Sequence, residues 1–184
     1  MQRHNLVFSG SGGQGVITAA VILAEAAALY EGMSAVQSQK YGAAARGGST
    51  RADVIISKTE ILFPNVLQPN LLVALTQQAY SLNYPILRPG GILVSDPKYV
   101  TTEKKVDALP IQLPMYEAVM DEIGKPIVYN VCMLGAVARI IRIVKPESIM
   151  KVLETRIPKG FLEMNQKALD LGYNMAEPFE TAMA

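Results

Sequence analysis

The chain has 184 residues, half of them hydrophobic and 18% charged. That length and composition suit one folded domain with a substantial core and exclude an intrinsically disordered chain. A net charge of +1 leaves no electrostatic footprint for nucleic acid.

The N-terminus runs from Met1-Gln2-Arg3-His4 into a short apolar run, Asn5-Leu6-Val7-Phe8-Ser9, with no signal-peptide pattern. His4 reads as a solvated terminal residue. Gly10-Ser11-Gly12-Gly13-Gln14-Gly15 follows, and a long helical stretch from Val16 to Tyr30 comes next. Strand, glycine turn and helix in that order raise a G-x-G-x-x-G match above chance. Gly10 is expected to allow a tight turn with positive φ. Gly12 and Gly13 leave the backbone bare for close approach, and Gly15 lets the helix pack on the strand. The helix start offers unpaired N–H groups and a partial positive charge, which suit an anion.

Ser34 to Gln39 reads as a second strand, and Lys40 to Ser49 as a loop holding Gly42, Gly47 and Gly48. Arg51 to Ser57 is rich in β-branched residues and reads as a third strand. The continuous apolar run Leu71–Leu75 suits a strand buried on both faces. Thr76 to Tyr84 reads as a helix stopped near Pro85. Pro89-Gly90-Gly91 marks a turn before the strand Ile92–Ser95, and Val106–Leu113 is a further strand limited by Pro110. The C-terminal third reads as helical: Met115–Ile123, Ile127–Val144, Pro146–Thr155 and Gly160–Leu171, with Gly172 as a C-cap. A loose tail is expected from Ala176. Ile127–Val144 is the most apolar stretch, but Asn130, Arg139 and Arg142 argue against a membrane span.

Strands interleaved with helices predict a single α/β domain. Its sheet is mainly parallel with helices on both faces, its first βα unit Rossmann-like and its C-terminal third helical. Ligands of such sheets bind at the carboxyl ends of the strands, the edge where the glycine turn lies.

Cys132 is the only cysteine and His4 the only histidine. A single thiol fits a reducing, cytoplasmic setting. It cannot hold an iron–sulfur cluster, which usually takes four thiolates, and no tetrahedral metal site can be assembled. Cys132, between Val131 and Met133, reads as buried and apolar. No catalytic residue and no metal ligand is assigned. A dinucleotide site usually carries an acid about 20 residues after the glycines. Here no acid occurs between Gly32 and Arg51, and the local charges are Lys40, Arg46 and Arg51. That set leaves an NADP-like ligand open and disfavours NAD.

The segment Gln37 to Arg51 combines Tyr41, Arg46, Gly47 and Gly48. An arginine beside bare backbone donors suits a carboxylate or phosphate, and Tyr41 adds a flat face with a polar tip. With these residues in view, the chain resembles the gamma subunit of 2-oxoacid:ferredoxin oxidoreductases. The matching features are the Gly10–Gly15 turn, Tyr41-Gly42 with Arg46-Gly47-Gly48, and Val54–Ser57. Further on come Gly90-Gly91, Asn130 to Gly135, Pro158-Lys159, Asn165 and Gly172-Tyr173. One departure is Ala43-Ala44-Ala45, where the family often has Pro-Glu. A role tied to that glutamate does not carry over.

The resemblance implies a gamma-type domain over residues 1–175 and a flexible tail over 176–184. It implies a subunit of an enzyme that oxidatively decarboxylates a 2-oxoacid with coenzyme A, giving acyl-CoA, carbon dioxide and reduced ferredoxin. Thiamine diphosphate with Mg2+ and iron–sulfur clusters would sit on alpha, beta (thiamine-binding) and delta (ferredoxin-like) partners, with none bound by this chain alone. Ferredoxin would be met through the complex, without nucleic acid or membrane. The 2-oxoglutarate type is favoured, with pyruvate and 2-ketoisovalerate types as close rivals. The residues expected near coenzyme A or the active site are Gly10, Gly12, Gly13, Gln14, Gly15, Tyr41, Arg46, Gly47 and Gly48. Two other readings stay open: a stand-alone NADP-like nucleotide binder, and a purely structural subunit.

Overall fold

A computed structural model describes residues 3–41, 49–103 and 107–180. Six strands form one sheet: β1 (Arg3–Ser11), β2 (Ser34–Tyr41), β3 (Ser49–Ser57), β4 (Leu71–Ala74), β5 (Gly91–Ser95) and β6 (Ala108–Gln112). Their order is β2-β3-β1-β4-β5-β6. β3 pairs antiparallel with both β1 and β2, and the remaining pairings are parallel, so only β3 runs against the other strands. The α/β, mainly parallel architecture is as expected. Its central strands are apolar on both sides because both faces are covered: β4 and β5 are buried along their whole length. β6 lies at the edge, where Pro110 is tolerated because its missing N–H faces no further strand.

One face carries the thicker helical layer. α1 (Val16–Tyr30) lies against β2 and β3, with α5 (Pro146–Arg156) beside it. Buried Ala19, Ala20, Ala26 and Ala27 let α1 approach the sheet closely. Glu31, just past α1, accepts hydrogen bonds from the Lys145 backbone N–H and the Ser148 hydroxyl at 2.9 and 2.7 Å. It thereby caps α5 from a distance. The opposite face is thinner: Val7, Ile55, Leu72, Ala74 and Leu93 are covered by Val66, Val100 and Tyr80. Tyr80 belongs to the short helix α2 (Gln77–Asn83), whose Thr76 cap accepts from Ala79 N–H at 3.1 Å.

The C-terminal helices depart from expectation in three places. The expected helix Ile127–Val144 is a single 3-10 turn, Pro126–Val128, followed by α4 (Tyr129–Ile141), which Arg142 ends in a left-handed conformation. α3 (Met115–Glu122) precedes them. Gly172 is not a C-cap: it lies inside α6 (Leu162–Met175), where a Cβ would sit 1.8 Å from the Cys132 carbonyl oxygen. Gly135 of α4 answers it, with a Cβ position 2.1 Å from the Leu169 carbonyl oxygen. The two helices meet backbone to backbone, which explains why α4 is buried on nearly every side. The segment expected as a tail starts packed. Ala176 is buried, and Phe179 lies against the core. Arg139 pairs with Glu177 and Glu180. Residues 181–184 lie outside the described residues.

His4 is also not solvated. β1 begins at Arg3, pairs His4 with Ile56, and leaves the imidazole 6% exposed. Burial, then Arg88 and Lys58, hold its pKa below the ordinary histidine value.

Replacing Gly172 with Ala forces a methyl group into the Cys132 backbone. The expected loss is about 3 kcal/mol, read as a melting temperature lower by roughly 6–12 °C. Gly160→Ala, where the Cβ position is open, is the control and leaves the melting temperature within a degree or two.

Candidate functional site

The glycine turn leaves β1 at the carboxyl edge of the parallel strands, beside the end of β4. The connection after β1 runs over the thick face and that after β4 over the thin face, which makes this a switch point of the sheet. Gln14 spans it: its Oε1 accepts from Ser11 N–H at 2.8 Å, and its Nε2 donates to the Leu75 carbonyl at 3.2 Å.

The glycines are used differently from expectation. Gly10 does not have positive φ. It stays in the strand and makes room for Gln14, whose Oε1 would lie 2.5 Å from a Cβ there. The left-handed positions are Gly13 (φ 90°) and Gly15 (φ 71°). Gly15 caps α1, and what it admits is Asn130 of α4, not the strand. A Cβ would meet Asn130 Nδ2 at 2.6 Å, and that nitrogen lies 3.4 Å from the Gly15 carbonyl. Gly12 is exposed with open space around it. α1 has no side-chain cap and no acid in its first turn, so its leading N–H groups are free for an outside acceptor.

Facing the turn is a wall the sequence reading missed. Asp96, fully buried just past β5, accepts from the backbone N–H of Lys98 (3.0 Å) and Tyr116 (2.8 Å) and from the Tyr129 hydroxyl (3.1 Å). Tyr99, Tyr116 and Tyr129 pack edge to face with centroids 5.5–6.4 Å apart. Burial, and then Asp96, push the Tyr129 phenol far above the ordinary tyrosine range. Between turn and wall lies a cleft of about 420 Å3 lined by Gly13, Gln14, Gly15, Thr18, the three tyrosines and Asn130, with Pro126 and Ile127. A second, apolar cleft of about 400 Å3 shares Thr18, Ile127 and Asn130 with it. An acid directly after a predicted strand was the one available signal for this wall.

Arg46, Gly47 and Gly48 lie outside the described residues, and so does the side chain of Tyr41. The flanking backbone is placed: Ser49 pairs with Ser11, and Tyr41 with Thr50. Both ends of that segment therefore stand at the edge that carries the glycine turn. Arg51 and Lys40 are committed elsewhere. On the thin face Arg51 grips buried Asp53 at 2.5 and 2.9 Å and reaches Asn83 at 3.2 Å, while Lys40 stands 3.7 Å from Asp53. Asp53, two residues beyond the basic segment, thus occupies Arg51, one of the three cations that a nucleotide 2′-phosphate would draw on.

Cys132 is fully buried, and its thiol is pushed up to about 12, chiefly by burial. Among the described residues, no three His, Cys, Asp or Glu side chains form a metal-holding group, and no helix is long and apolar enough to cross a membrane.

A family model described as pyruvate ferredoxin/flavodoxin oxidoreductase matches residues 5–175. The 2-oxoglutarate synthase subunit KorC of Methanocaldococcus jannaschii is 43% identical over 177 residues, 95% of each chain. The pyruvate/ketoisovalerate oxidoreductases common subunit gamma of Pyrococcus furiosus is 34% identical, covering 94% of this chain and 97% of its own. A crystal structure of the keto/oxoacid ferredoxin oxidoreductase gamma subunit from Geobacter sulfurreducens superposes with a TM-score of 0.87 at 37% identity. That match covers 96% of this chain and 97% of the other.

Gly13→Ala places a side chain at φ 90° and should cost about 1–2 kcal/mol, whereas Gly12→Ala, with ordinary φ and open space, should leave the melting temperature unchanged. Differential scanning calorimetry of the two variants checks the turn geometry.

Proposed function

This chain belongs to the pyruvate ferredoxin/flavodoxin oxidoreductase family, and from that premise we propose that it is the gamma subunit of a cytoplasmic 2-oxoglutarate:ferredoxin oxidoreductase. The reaction is oxidative decarboxylation of the 2-oxoacid with coenzyme A, giving acyl-CoA, carbon dioxide and reduced ferredoxin. The carrying observation is likeness over nearly the whole length to a 2-oxoglutarate synthase subunit, at 43% identity against 34% for a pyruvate/ketoisovalerate gamma subunit.

Thiamine diphosphate with Mg2+ would supply the carbanion chemistry, and iron–sulfur clusters would carry the electrons. The residues of this chain do not fit either group. Its only cysteine is buried with a raised pKa, and no acidic or histidine cluster occurs among the described residues. In this reading both belong to alpha, beta and delta companions.

This chain contributes an entrance. The bare turn Gly12–Gly15 and the uncapped start of α1 offer backbone donors to an anionic group of coenzyme A. Asn130, Thr18 and the tyrosines offer neutral polar contacts in the adjoining cleft. Arg46, Gly47 and Gly48 would add a guanidinium and backbone donors, and the described residue that follows them, Ser49, pairs with Ser11 at the turn. The NADP-like alternative is weakened because Arg51 is held by Asp53. The purely structural alternative is weakened at Gly12, whose missing Cβ makes room for no neighbour among the described residues.

In the assembled oxidoreductase, Arg46→Ala should raise the KM for coenzyme A roughly tenfold, the loss of one charge-assisted hydrogen bond. The same complex should show a higher kcat/KM for 2-oxoglutarate than for pyruvate. Steady-state kinetics decide both points, and an unchanged coenzyme A KM in an intact complex refutes the entrance role.

A further inference from the structure

Every tyrosine of the cleft wall is tied to one residue. Tyr99 donates its backbone N–H to the Asp96 carbonyl at 3.0 Å. Tyr116 donates its backbone N–H to Oδ2 at 2.8 Å, and the Tyr129 hydroxyl reaches the same oxygen at 3.1 Å. Oδ1 takes the Lys98 N–H at 3.0 Å. The side-chain partners are all donors, so the site demands an acceptor on both oxygens. A carboxylate offers an acceptor on both oxygens, whereas an amide offers one on only one of them.

These bonds set the starts of two helices. α3 opens after Pro114 and α4 after Val128, and neither has a side-chain cap of its own. Asp96 supplies the missing acceptor at the second residue of α3 and holds the first residue of α4. The next residue, Asn130, touches Gly15 across the cleft and lines both clefts. A buried carboxylate is costly unless it is fully hydrogen-bonded. Because its acceptors are taken by donors from separate segments, Asp96 does more than cap: it ties the three tyrosines to one point.

We infer that Asp96 is a positioning residue for the coenzyme A step, acting through Tyr129 to hold Asn130 and the tyrosine wall at a fixed distance from the glycine turn. This rests on the reading that the cleft receives part of coenzyme A. Asp96 itself is out of solvent contact, so it orients and does not bind. The juxtaposition joins one carboxylate, three tyrosines and the residue that fills the gap left by Gly15.

The test uses the assembled oxidoreductase, with KM and kcat for coenzyme A, melting temperature and subunit stoichiometry as readouts. Asp96→Asn should raise the KM five- to tenfold with kcat changed less and stoichiometry intact. Tyr129→Phe, which keeps the ring, should raise it about threefold. The double variant Asp96→Ala with Tyr129→Phe should be no worse than Asp96→Ala alone, because removing the carboxylate already removes the Tyr129 bond. Additive effects, or lower melting temperatures with an unchanged KM, overturn the inference. Should Asp96→Asn fail to assemble, Tyr129→Phe decides by itself. The outcome in which Arg46→Ala raises the KM while Asp96→Asn and Tyr129→Phe do not removes only this inference. The outcome in which none of the three raises it removes the entrance reading as well.

Discussion

β1 is hydrogen-bonded to an antiparallel neighbour on one side and a parallel neighbour on the other, and the place of each candidate residue follows from that. The parallel partner brings the ends of β1, β4 and β5 to one edge, so the glycine turn, Leu75 and Asp96 emerge together. The antiparallel partner returns the chain to the same edge at Ser49. Gln14 then ties the turn to Leu75. Without the parallel pairing the turn and the tyrosine wall would have no common edge.

That edge is built mainly from backbone groups and neutral side chains. The buried ionisable groups beside it are occupied: Asp96 by donors, and Asp53 by Arg51 and Lys40. A region of this kind can orient a ligand through neutral polar contacts. This suits the role proposed for the chain as a subunit of a larger oxidoreductase.

The thick helical layer gives the edge its rigidity. α4 contacts α6 at backbone distance through Gly135 and Gly172, and its first residues project towards the cleft. A helix packed that tightly on one side cannot slide without opening the core, since packed interiors resist deformation. Asn130 therefore meets Gly15 in a defined position. The ion pair between Arg156 and Glu25 and the Glu31 cap tie α5 to α1 in the same layer.

Local patterns carried much of the fold. The bounds of α1 and the apolar runs of β1, β4 and β5 were legible because hydrophobic periodicity and glycine or proline boundaries are properties of neighbouring residues. Family likeness was legible for a similar reason, since the motifs stand in order along the chain. The roles of individual residues were not. Gly10 and Gly172 read as turn and cap, but they are glycines because Gln14 and Cys132 occupy the space beside them. His4 read as solvated because its burial depends on strands β1 and β3 pairing from the first residues. Asp96, Tyr99, Tyr116 and Tyr129 gave almost no signal, since they are spread over more than 30 positions and meet only when β5, α3 and α4 pack. The sequence alone therefore determined the order and kind of elements, which arise from short-range chemistry. Tertiary structure decided which side chains share the cleft, because that depends on contacts between segments distant in the chain.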